Sequence, residues 1–241
     1  MRNLLKKIMV FVVTVAAASS SCAGTRNNDS LSDTLLSAAR VASSKDDLLS
    51  ILDAEPKALK AAGDGAARDY DRLLLHLRPG TVKMYQDRAA CKEVEQEPKC
   101  QKYRLVAYVR TLGIFVVAKL YYESAEYIVL DDVSGDEAIL RSFPRFSPSG
   151  DHVLVLLMND EQLGFAVQVW QRSLHKFSLE WSGSPYAEGG MYTTYELVRW
   201  NKENVIELEA ETRSGSIESR PVKQFYLHET SHSWKVTNTP N

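Results

Sequence analysis

The sequence predicts a mainly β protein: an antiparallel propeller-like meander or sandwich, preceded by a short helical segment. Two observations carry that expectation. From Asp71 onward, short runs rich in β-branched and aromatic residues follow one another, with turn residues between them and no helical period separating them. Before that point, apolar residues recur at helical spacing instead.

The N-terminus reads as an address. "MRNLLKK" supplies Arg2, Lys6 and Lys7, and the chain then runs apolar from Ile8 to Ala18. A basic stub, a short apolar stretch and small residues after it form the pattern of a secretory signal peptide. The run is too short for a helix that spans a bilayer core, which needs about 20 residues. Its removal takes three positive charges from a chain whose formal charge is −2, leaving a mildly acidic product with no basic patch for nucleic acid. In "SSSCAG", Cys22 stands where bacterial lipoproteins carry their acylated cysteine, so residues 1–22 resemble a signal peptide with a lipobox. That resemblance implies lipid on Cys22 and attachment to the envelope membrane, on its periplasmic side. A cut after Ala18, with Ala16 and Ala18 as the small pair, is the alternative and releases a soluble periplasmic or secreted protein.

Residues 23–30, polar and rich in Asn, form a tether. Residues 31–65 form the helical segment. Leu31, Leu35, Ala38 and Ala42 share one face, and Ser44 with Asp47 resembles a capping box for "KDDLLSILDA". Pro56 is expected to open a further short helix that "GDG" ends.

Residues 66–241 form the antiparallel β domain, with strands expected in "RLLLHL", "TVKMYQ", "YRLVAYVRT", "GIFVVAKLYY", "EYIVLDDV", "HVLVLLMN", "FAVQVWQR", "HKFSLEW", "YELVRW", "NVIELEAET", "VKQFYLH" and "SWKVT". Cys91 and Cys100 bracket "CKEVEQEPKC" and, outside the cytosol, are expected to form a disulfide worth about 2–3 kcal/mol by the chain-entropy argument. "DDVSGDE" lacks the carboxylate alternation of a calcium loop and is expected to be a hairpin turn.

"PRFSPSGDHVLVLL", from Pro144 to Leu157, resembles the turn that opens a blade in propellers like that of the Tol-system translocation protein. Phe146 is expected to pack inward while Pro148 and Gly150 shape the turn. "VRWNKENVIELE" echoes it, with Trp200 in place of Phe146. The whole chain resembles uncharacterised proteobacterial lipoproteins with "YYES…Y" ahead of this turn, a resemblance that implies an envelope address and no activity.

Two stretches bear on function. "HETSH" supplies His228, Glu229 and His232 in the H-E-x-x-H spacing, which holds zinc only when a helix puts both imidazoles on one face. Strand-like "VKQFYL" and "SWKV" flank it, and none of the nine residues after His232 is His, Asp or Glu. A polar turn is therefore expected, with a zinc hydrolase as the runner-up. His76, His152 and His175 have no partner at a diagnostic spacing. Glu123 and Glu126 read as surface charge. The binding candidate is "EWSGSPYAEGGMYTTYELVRW", where Trp181, Tyr186, Tyr192 and Tyr195 surround Glu188 in a Gly- and Ser-rich stretch. Amphipathic rings on a flexible connection suit recognition of a protein or glycan. The sequence thus predicts a non-catalytic, cofactor-free interaction module of the envelope. An immunity- or inhibitor-type lipoprotein fits its size and address, and a purely structural envelope lipoprotein is the further alternative.

Overall fold

A computed structural model describes residues 47–88, 100–121, 124–157, 166–185, 192–201, 204–213, 223–231 and 233–239. The signal segment, Cys22, the tether, Cys91, Glu123, Tyr186, Glu188 and His232 lie outside the described residues. Among those described, no helix is long and apolar enough to cross a membrane.

The described chain begins with helix α1 (Asp47–Ala62), continues through a 3₁₀ turn (Gly63–Gly65), and then contains fifteen strands. Strands β1 (Ala66–Asp69), β2 (Arg72–His76) and β3 (Val82–Gln86) form the first sheet. The second is β4 (Lys102–Val109), β5 (Ile114–Leu120), β6 (Ala125–Asp131) and β7 (Glu137–Leu140). The third is β8 (Arg145–Phe146), β9 (His152–Leu156), β10 (Val167–Ser173) and β11 (Lys176–Gly183). The fourth is β12 (Tyr192–Asn201), β13 (Val205–Arg213), β14 (Lys223–Glu229) and β15 (Trp234–Thr237). Each sheet is an antiparallel meander in chain order, so the predicted fold class is the observed one.

The sheets stack in that same order, and side-chain alternation shows how. In β5, Phe115 and Val117 face the first sheet, packing with Leu73, Leu75 and Tyr85, while Ile114, Val116 and Ala118 face the third, packing with Val153 and Val155. In β9, Leu154 and Leu156 turn the other way, onto Ile206, Leu208, Phe225 and Leu227 of the fourth sheet. The central strands β5 and β9 are apolar on both faces, which is why "GIFVVAKL" and "HVLVLL" read as continuous greasy runs. Outer strands such as β2 alternate buried and exposed. Phe115, Leu154 and Ile206 are fully buried, each worth about 1.5–3 kcal/mol of transfer free energy. Among the described residues, no buried cluster joins the fourth sheet to the first, so the buried clusters link the described sheets in a row.

Helix α1 corrects one expectation. Pro56 does not open a new helix; it lies within a single 16-residue one. A proline there removes a helical hydrogen bond, normally at about 3 kcal/mol. Tertiary anchoring overrides this: Ile51, Glu55, Ala58 and Ala62 form one buried stripe against the first and second sheets. The Leu105 N–H donates to Glu55 Oε1 at 3.0 Å, and Glu55 also takes Arg68 and Arg104. Those guanidiniums share Asp87, with Arg104 Nη1 2.6 Å from its Oδ2. Two carboxylates and two guanidiniums balance one another at this joint.

"DDVSGDE" is the β6–β7 hairpin turn, as expected, and its first two aspartates clamp neighbouring sheets. Asp131 is fully buried and accepts the Val133 and Ser134 N–H groups at 2.9 Å each, Arg172 Nε at 2.9 Å and a second Arg172 contact through Nη2. His175 Nδ1 lies 3.1 Å away. Burial alone pushes its carboxyl up, but the Ser134 and Val133 N–H groups, with Arg172 and His175, overcome this and hold it at about 2. Asp132 accepts Arg78 Nε at 2.6 Å and the Tyr108 hydroxyl at 2.7 Å. The turn thereby joins the first, second and third sheets.

Candidate functional site

The turn at 147–152 positions the most unusual side chain among the described residues. The Gly150 N–H donates to the Ser147 carbonyl at 3.0 Å, and Gly150 takes φ +81°, a conformation that suits glycine. A Cβ at Gly150 would stand 2.6 Å from the Leu112 side chain, so the position also needs glycine for space. The Ser147 N–H donates to the His152 carbonyl at 3.0 Å, and the His152 N–H to Ser147 Oγ at 3.1 Å. Phe146 packs inward, as expected. The turn thus sets His152 as the first residue of β9.

His152 has the same parity as Leu154 and Leu156, so its ring enters the seam between the third and fourth sheets. It is 6 % exposed, and neither ring nitrogen has a hydrogen-bond partner. Glu180 reaches the same place through a β-bulge. Val169 pairs with Trp181 and Trp170 with Leu179, which leaves Glu180 as the extra residue. Bulges re-aim side chains and recur beside functional sites. Glu229 arrives from the fourth sheet, sharing parity with Phe225 and Leu227 on the inner face of β14. One ligand atom from each of His152, Glu180 and Glu229 lies within 4.8 Å of the others.

Indole rings enclose the group. The His152 ring stands edge-on to Trp234, 5.4 Å between centroids, and lies nearly parallel to Trp200 at 6.5 Å. The Trp234 Nε1–H donates to Glu180 Oε2 at 2.8 Å. His152 Nε2 is 3.5 Å from that same carboxylate oxygen.

The motif "HETSH" divides. His228 and Glu229 are consecutive residues of a strand, so they point to opposite faces of the fourth sheet. His228 Nε2 lies 3.4 Å from the Thr239 carbonyl on the outer face, while Glu229 joins His152 inside. The Thr230 N–H donates to the Ser233 carbonyl at 2.7 Å, closing the hairpin that follows. The spacing that suggests a helical zinc motif belongs here to a strand and its turn.

The stretch 180–200 is mostly strand rather than connection, because β11 runs to Gly183 and β12 starts at Tyr192. Tyr195 is buried, edge-on to Phe225 at 5.8 Å, and serves the core. Trp181 is half-buried and packs on the same seam. Tyr192 pairs with Arg213 at the start of β12. Tyr186 and Glu188 lie outside the described residues. Cys100 is buried and disulfide-bonded.

Sequence reasoning gave no role to His152 or Glu180. No local spacing joins them to Glu229, because three strands from two sheets bring them together. The available signal was a histidine in phase with leucines on a fully apolar strand. Comparison with protein-family models, with curated proteins and with solved structures finds no match to this chain.

Proposed function

We propose that the chain is an exported envelope protein, lipid-anchored through Cys22 on the periplasmic side. In this reading its β domain is a non-catalytic module that binds an envelope protein or glycan. The basic stub, the apolar run from Ile8 to Ala18 and the small residues around Cys22 support the address. The observation that carries the non-catalytic reading is the local structure of the H-E-x-x-H stretch: a hydrolase of that type presents both imidazoles from one face of a helix, and His228 and Glu229 instead end strand β14. Among the described residues, other polar clusters are ion pairs between elements, such as Asp131 with Arg172 across two sheets and Glu55 of α1 with Arg104 of β4, and act as joints. The proposed ligand contact is the β11–β12 connection with Tyr186 and Glu188, next to half-buried Trp181. A Cys91–Cys100 pair closes the disulfide.

Two measurements test this reading. Labelled fatty acid is expected on the wild-type chain and not on Cys22→Ala, which shifts to the soluble fraction. Capture from envelope extracts is expected to yield a saturable partner that Tyr186→Ala with Glu188→Ala releases. A chain retained uncleaved in the cytosol, or a partner indifferent to both changes, overturns the corresponding half.

A further inference from the structure

We propose that His152, Glu180 and Glu229 bind one divalent transition metal, with zinc as the reference ion, and that the ion ties the third sheet to the fourth. The inference rests on geometry and donor chemistry, and is independent of export and of the β11–β12 connection.

Spacing is the first argument. Donors around a tetrahedral zinc lie about 2.1 Å from the ion, which places any two of them roughly 3.4 Å apart. His152 Nε2 and Glu180 Oε2 are 3.5 Å apart, and the three donors lie within 4.8 Å of one another. At that separation the imidazole makes no hydrogen bond to the carboxylate.

The second argument is the unused imidazole. A ring 94 % removed from solvent normally has its nitrogens paired, because an unmade hydrogen bond is costly in the interior. Yet the carboxylates that approach it make no hydrogen bond with it: Glu180 takes the Trp234 N–H instead, and Glu229 adds a second set of oxygens at the same point. Two carboxylates converging on one point repel unless a cation sits between them. A divalent ion with two carboxylates and a neutral imidazole is charge-neutral.

Donor type selects the ion. Calcium and magnesium favour sites built from oxygen alone, whereas imidazole suits zinc and its transition-metal neighbours. Trp234 then takes a second role: its N–H holds the Glu180 carboxylate from outside, as outer hydrogen bonds hold metal ligands elsewhere. Three protein donors leave the fourth position of a tetrahedral zinc to water.

The test is equilibrium dialysis of the full chain against Zn²⁺, with bound metal counted by elemental mass spectrometry and folding checked by circular dichroism. One zinc per chain is expected on the wild type, and none on His152→Ala. Glu229→Gln, at a half-exposed position that keeps its shape, is expected to bind at least about tenfold more weakly and decides the matter if His152→Ala does not fold. His228→Ala is expected to bind like the wild type. Absence of stoichiometric zinc on the folded wild type marks a plain histidine–carboxylate contact and overturns the proposal. So does full binding by Glu229→Gln, or loss of binding in His228→Ala.

Discussion

Two inter-sheet seams hold polar side chains, and they use them differently. Between the second and third sheets, buried Asp131 meets two backbone N–H groups, a guanidinium and an imidazole, so its oxygens are saturated. Between the third and fourth, buried His152 meets no hydrogen-bond partner and faces two carboxylates. The first arrangement is complete in the chain alone and explains itself as a fastening. The second gathers an imidazole and two carboxylates at one point, the geometry from which the zinc site is inferred. Burial of a charged or polar group is thus not what distinguishes a site from a joint; saturation of its hydrogen-bonding atoms is.

The largest effect that sharpens this contrast is expected at the saturated seam. Asp131→Ala removes the carboxylate that partly buried Arg172 and the Val133 and Ser134 N–H groups share, and a loss of about 3–5 kcal/mol is expected from urea unfolding. Acid should act on the same group. The Asp131 carboxyl is held at about 2 in the fold, below its unfolded value near 3.9, so its contribution is present above pH 4 and is lost as pH falls toward 2. A decline on the order of 2 kcal/mol across that window is expected, and Asp131→Asn should flatten it. Next comes the turn that positions His152. Gly150→Ala combines a left-handed φ with a Cβ 2.6 Å from Leu112, and about 1–3 kcal/mol of destabilisation is expected by thermal melting. The smallest change belongs to the unsaturated seam: Trp234→Phe keeps the ring and removes the N–H that holds Glu180. Zinc affinity is expected to fall about 10–100-fold by competition with a chelator, beside a stability loss of about 1–2 kcal/mol from the smaller buried ring.

Much of the fold was legible in the sequence. All twelve strands read from β-branched and aromatic runs are present, and the hairpin turns at "DDVSGDE" and after Glu229 are where turn chemistry puts them. β1, β7 and β8 were not legible, because "AARD" and "EAIL" carry weak strand propensity and "RF" is two residues long. Their pairing comes from the strand beside them. Pro56 misled for the opposite reason: a strong local signal gave way to the packing of Ile51, Ala58 and Ala62. The site was half visible. Glu229 stood out inside "HETSH", but for a geometry that a strand cannot provide, and its partners come from strands far away in the chain.

The row of sheets has a mechanical consequence. A closed ring of sheets shares load around its circumference, whereas a row of sheets, each gripping only its neighbours, frays from the ends, as linear repeat arrays do. The last hairpins, which among the described residues meet one apolar interface, are the natural place for such fraying to begin. An ion lodged where that interface runs out would act as a rivet at the loose end of the row.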